Sequence, residues 1–165
     1  MNDEQRLLLL NQYDILSKLD PEDNYYSKCR DILANGYEVL YSEISNRLSE
    51  PMSSEQGGFV IDVLQMYRVL NTSYEQLEDK ENITDFDVAF KGFDGNEEGK
   101  YYSFAQFFLD DYNRFGELKE NESFSYNSHS NRVEKYSRMV MLWKDTADRY
   151  NDNLTAEEIK SIINA

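Results

Sequence analysis

Between Phe59 and Leu77 the apolar residues fall at Val60, Val63, Leu64, Tyr67, Leu70, Tyr74 and Leu77, the spacing of one helical face. Phe59, Ile61, Met66 and Val69 put further apolar side chains on its other sides. A helix that is apolar nearly all round is either a membrane span or the centre of a packed domain. Asp62, Gln65 and Arg68 interrupt this one too often for a span, which needs about twenty apolar residues. The pattern therefore predicts a central core helix at about 54–78, opened by a capping box of Ser53 and Gln56. Gly57 and Gly58 in its first turns read as places where a neighbouring backbone comes close.

Other helical stripes flank it. A first helix is expected from about Asp3 to Lys18, capped by Asn2 or Asp3, with Leu8, Ile15, Leu16 and Leu19 on its buried side. Asp20-Pro21 should open a second helix, with Tyr25, Cys29, Ile32 and Leu33 as its stripe and Asn35-Gly36 as its end. Tyr37, Leu40, Tyr41, Ile44 and Leu48 suggest a third, ending before Pro51. Around Phe86, Val88 and Phe90 the period falls to two, the mark of a strand or an extended linker near 85–93. Tyr101, Phe104, Ala105, Phe108, Tyr112 and Phe115 then line an aromatic helix, closed by Gly116. After a polar stretch from Glu117 to Asn131, a narrow seam follows at Val133, Tyr136, Val140, Trp143, Ala147 and Tyr150. Thr155 and Glu158 box a last short helix carrying Ile159, Ile162 and Ile163. The expected fold is all-α, one domain of six or seven helices over residues 1–165.

Composition sharpens this picture in two ways. The 13 Tyr and 9 Phe among 165 residues mean that much of the core is aromatic, with many hydroxyls at its margin. The net charge of −15 repels phosphate backbones and anionic headgroups, so direct nucleic-acid binding and membrane association are not expected. Cys29 is alone, which excludes an intrachain disulfide, and it sits on an apolar stripe as a small hydrophobe would. The N-terminal residues show no signal-peptide pattern, and a cytoplasmic location is expected.

Three stretches imitate functional motifs. Asp94-Gly95-Asn96-Glu97-Glu98-Gly99 begins like a calcium-binding EF-hand loop, but the twelfth position is Ala105, where a bidentate glutamate is required. Gly92, Gly95 and Gly99-Lys100 lack the spacing of a phosphate loop, and Tyr101 stands where Ser or Thr should bind magnesium. His129 is the only histidine, so a site built on two histidines is impossible, and no Gly-x-Ser-x-Gly elbow accompanies it. No catalytic residue, metal ligand or cofactor is assigned on these grounds.

The chain also resembles the YfbU family of small bacterial proteins, from Arg6 to its end. The resemblance rests on Arg6-Leu7…Asn11-Gln12-Tyr13, Leu19-Asp20, Ile61-Asp62-Val63…Met66-Tyr67 and Phe90-Lys91-Gly92-Phe93-Asp94. It continues through Glu134-Lys135-Tyr136-Ser137-Arg138-Met139, Trp143 and the ending Leu154-Thr155-Ala156-Glu157-Glu158-Ile159…Ile162-Ile163-Asn164-Ala165. The family implies an all-helical fold and no established activity. Fusions of some members to DNA-binding modules imply ligand sensing or protein interaction, and no such module is present in this sequence.

Two functional readings follow. The favoured one is a non-catalytic domain that binds a small molecule or a protein partner and forms a homodimer. The dimer would cover the seam, the leucine-rich first helix and the residues Phe86–Phe90. The competing one is a hydrolase or transferase using His129 with nearby carboxylates. If there is a site, Asp94, Asn127, His129, Tyr136 and Arg138 are its candidates, because the turn at Gly92–Asp94 and the loop at Tyr126–Ser130 break the helical pattern. An anionic group would suit the positive end of the helix after Asp94. The plainer alternative is that Asp94 only caps and Asn127 to Ser130 only turn the chain.

Overall fold

A computed structural model describes residues 1–119, 126–146 and 153–165. Among these the chain is all-α, with eight α-helices and two short 3-10 turns. It divides into two compact units, Met1–Pro51 and Met52–Ala165.

In the first unit, α1 (Asp3–Leu19) starts at a capping box of Asn2 and Gln5, and Lys18 pairs with Asp14 in its last turn. It packs on α2 (Asn24–Asn35), which ends at Gly36 in the left-handed conformation, φ 69°. Three expectations are corrected here. Asp20-Pro21 forms a turn and the helix opens later, with Asp23 accepting from the Tyr25 amide. The half-buried stripe of α1 is Arg6, Leu9, Leu10, Tyr13 and Ser17, whereas Leu8, Ile15, Leu16 and Leu19 are exposed. Four leucines in a row gave α1 apolar residues around much of its circumference, and periodicity could not choose among them. The third predicted helix shrinks to the 3-10 turn Glu38–Leu40 and α3 (Tyr41–Ser45). Tyrosines hold it: the Tyr25 hydroxyl donates to the Ile44 carbonyl at 3.1 Å, and the Arg47 guanidinium lies 3.7 Å from the Tyr25 ring centre. Cys29 and Leu33 are fully buried.

The second unit is built around α4 (Ser54–Gln76), whose capping box is the expected Ser53–Gln56 pair. Val60, Val63, Leu64, Met66, Tyr67, Val69, Leu70 and Tyr74 are buried on it. Against it pack α5 (Asp85–Val88), α6 (Gly99–Asp110), α7 (Val133–Thr146) and α8 (Ala156–Ile163). The Lys144 ammonium on α7 pairs with Asp62 on α4 at 2.6 Å, and the Arg68 guanidinium pairs with Glu117. Tyr136, Met139, Val140 and Trp143 fill the α7 side of the core, while Ala147 and Tyr150 of the predicted seam lie outside the described residues.

The period-two segment is also revised. Thr84 and Asp87 form a capping box that winds Asp85–Val88 into one helical turn, and only the residues after it are extended. Val88, Ala89 and Phe90 point inward and Phe86 outward, so one turn of helix followed by extended chain produced the alternation. The extended piece does find a partner: Phe93 and Asn127 form an isolated parallel bridge. Close backbone approach occurs here and not at Gly57 or Gly58. Gly92 has φ 80°, and a Cβ on it would lie 1.8 Å from the Tyr126 carbonyl oxygen, whereas one on Gly58 would meet nothing.

Candidate functional site

Two loops distant in sequence are stitched together by main-chain bonds. The Phe93 amide donates to the Tyr126 carbonyl and the Ser128 amide to the Phe93 carbonyl, each at 3.0 Å. The Gly95 and His129 amides both donate to the Asn127 side-chain oxygen, at 3.2 and 3.0 Å. Tyr126 and His129 hold left-handed φ values of 53° and 50°, a conformation kept by non-glycine residues only where neighbours enforce it.

Beneath the loops sits Glu98, almost fully buried. Its carboxylate accepts from the Asp94 amide at 2.9 Å and from the Arg132 and Val133 amides at 2.7 Å each. This one side chain ties the turn before α6 to the first turn of α7. It also occupies the positive end of α7, so those amides are already satisfied. Asp94 does a related job: its carboxylate accepts from the Asn96 and Glu97 amides at 2.8 and 3.3 Å.

The stitched loops form one wall of a cavity of about 440 Å³. Its floor is Tyr67, Tyr136 and Met139, all but inaccessible, with Ile163 of α8 at the edge. Among the described residues three cationic side chains line it, Lys91, Arg132 and Lys135, against one carboxylate, Asp87. Asp87 is engaged by the Thr84 amide and hydroxyl at 2.9 and 2.6 Å, bonds that hold its carboxyl below the usual range. The Lys91 ammonium donates to the Phe86 carbonyl and lies over the Phe86 ring. Burial brings its pKa down to about 8; Asp87 opposes this, and Arg132 and Lys135 add to it. Arg132 Nε is buried with no hydrogen-bond partner among the described residues. A buried donor left in that state costs about 1–3 kcal/mol. Burial likewise pushes the Tyr67 hydroxyl up to about 12 and the Tyr136 hydroxyl well above its ordinary value.

Of the residues singled out from sequence, Asn127, His129 and Tyr136 line this cavity. Asp94 is buried beside it without lining it, and Arg138 is exposed on α7 away from it. Sequence reasoning missed Lys91, Arg132 and Lys135. Each adjoins one of the two singled-out loops or the helix that follows, and in so acidic a chain that placement was the available signal.

Among the described residues no helix is long and apolar enough to cross a membrane. The YfbU domain model matches residues 1–165. A UPF0304 protein of Methanocaldococcus jannaschii is 36% identical over 165 residues, an alignment covering 98% of this chain and 97% of the relative. With the family match running from end to end and the helical fold in agreement, the chain belongs to the YfbU family.

Proposed function

We propose that the protein is a non-catalytic ligand-binding domain whose site is the cavity between α4, α7, α8 and the two stitched loops. The observation that carries this is convergence. Segments far apart in sequence, around Lys91, Asn127, Tyr136 and Ile163, meet at one concavity of a size suited to a small molecule. Its wall is prearranged by main-chain bonds and by Glu98, which reduces the ordering cost of binding. No observation favours the hydrolase or transferase reading. The Ser128 hydroxyl beside His129 donates to the Ser130 carbonyl at 2.6 Å, and Asp87 is taken up by Thr84.

The test is a small-molecule screen by thermal unfolding, run on the native chain and on Ile163→Trp, which narrows the cavity at its edge. A ligand at about a hundred times its Kd adds about 2.7 kcal/mol of stability. In a chain of this size that raises Tm by several degrees. Compounds that stabilise the native chain and not the Ile163→Trp chain are the expected result. Stabilisers insensitive to that change would place binding elsewhere and reject this site.

The further expectations stand as parts of the same proposal: a cytoplasmic location, no direct nucleic-acid binding, one family domain over residues 1–165, and a homodimer. The family match across both units supports the single domain. For the dimer, two of the three sequence arguments weaken, because Tyr136, Val140 and Trp143 of the α7 seam and Val88–Phe90 are buried within the second unit, while Phe86 is exposed. The support that stays is α1, where Leu7, Leu8, Ile15, Leu16 and Leu19 are exposed.

A further inference from the structure

We infer that the ligand of this cavity is a small molecule with an oxyanion, carboxylate or phosphate, at one end and an apolar body at the other. The inference rests on the ligand-binding reading above and adds the chemistry. The chain carries a net charge of −15, yet among the described residues this concavity gathers Lys91, Arg132 and Lys135 against Asp87 alone. Cations on one wall of such a chain repel one another, and they do so here: Arg132 and Lys135 both act to discharge Lys91. An oxyanion placed among them relieves that repulsion and supplies charge-assisted acceptors. The Arg132 and Val133 amides contribute nothing to this, because Glu98 already holds them. The accessible apolar side chains of the same lining are Phe86, exposed, and Ile163, half-buried, over the buried Tyr67, Tyr136 and Met139, a surface for the apolar body. The side chain of Asn127 adds a polar group to the lining.

Three probes of similar size test this by calorimetry at low salt: phenyl phosphate, phenylacetate and neutral benzyl alcohol. At least one anion should bind about tenfold more tightly than benzyl alcohol. Which of the two binds better assigns the oxyanion to phosphate or carboxylate. Arg132→Gln and Lys135→Gln should each weaken the anion about tenfold, the scale of one lost charge-assisted bond. Lys28→Gln removes the same charge from the exposed surface of α2 and should change nothing, which separates local recognition from net charge. Should Arg132→Gln fail to fold, judged by circular dichroism, Lys135→Gln carries the test. Anion affinity equal to that of benzyl alcohol, or unchanged in the folded variants, overturns the inference. A neutral compound that binds more tightly than either anion and is lost in Ile163→Trp would overturn it too, while leaving the ligand-binding cavity standing. If no compound binds, both fall.

Discussion

The Tyr136 hydroxyl donates to the Gly92 carbonyl at 3.0 Å, wholly inside the protein. Gly92 is the residue whose missing side chain lets Tyr126 approach, and Tyr136 is part of the cavity floor. The bond therefore links the loop pairing to the site beneath it. Tyr136→Phe keeps the ring contacts with Phe93 at 5.4 Å and Tyr67 at 5.6 Å but strands a buried carbonyl. It should lower stability by about 1–3 kcal/mol in urea unfolding. Tyr136→Ala, which also empties ring volume, should cost about 3–5 kcal/mol.

Gly92→Ala should be severe. The left-handed φ alone costs of order 1–3 kcal/mol for a residue with a Cβ. The added carbon would also collide with the Tyr126 carbonyl, so the Phe93–Asn127 bridge must open. Amide hydrogen exchange at Phe93 and Ser128 should accelerate together, and Gly58→Ala, with open space around it, should leave both unchanged.

Glu98 and Asp94 should separate in their effects. Glu98→Ala leaves the Asp94, Arg132 and Val133 amides without their acceptor in a buried setting and should cost several times as much as losing a cap. Asp94 does not cap α6 as expected, since Glu98 stands at that position; Asp94→Ala removes its turn bonds to the Asn96 and Glu97 amides and should cost about 1 kcal/mol. Ligand affinity should survive Asp94→Ala, because Asp94 does not line the cavity. Parallel melts and titrations of the two variants check both points.

Lys91 sets a pH dependence whose sign is fixed. Its folded pKa, about 8, lies below the ordinary 10.5, so the unfolded chain holds more protons between those values. Stability should therefore rise with pH across that window as the strained charge is released, and Lys91→Met should abolish the rise. Affinity for phenyl phosphate should run the other way and fall as pH passes 8, because its second ionisation, with a pKa of about 6, is already nearly complete there. Asp87, Arg132 and Lys135 face Lys91, and His129→Gln as background removes the imidazole from the same wall.

Self-association through α1 predicts concentration-dependent light scattering above the 19.5 kDa of one chain in moderate salt. Salt matters because it screens the repulsion of two strongly acidic chains within about 10 Å at 0.1 M. Leu8→Lys with Ile15→Lys, both exposed in the single chain, should restore the 19.5 kDa species without lowering Tm.

The sequence by itself determined the central helix and the ends of the first and last helices, while the aromatic helix, expected to run to Gly116, ends at Asp110. Ser53–Gln56 and Thr155–Glu158 are boxes closed within one turn, and the α4 stripe repeats long enough to define a face. Those are short-range matters, decided by residues three and four apart. What lay beyond it was every choice between equivalent faces or between distant partners. Which leucines of α1 would be covered depended on α2, and whether Phe86–Phe90 would be strand or turn depended on Thr84 reaching Asp87 while Val88 and Phe90 found the core. The cavity is the extreme case. Lys91 and Arg132 share a wall only because Gly92 admits Tyr126 and Glu98 clamps α7, long-range contacts that leave no periodic trace in the chain.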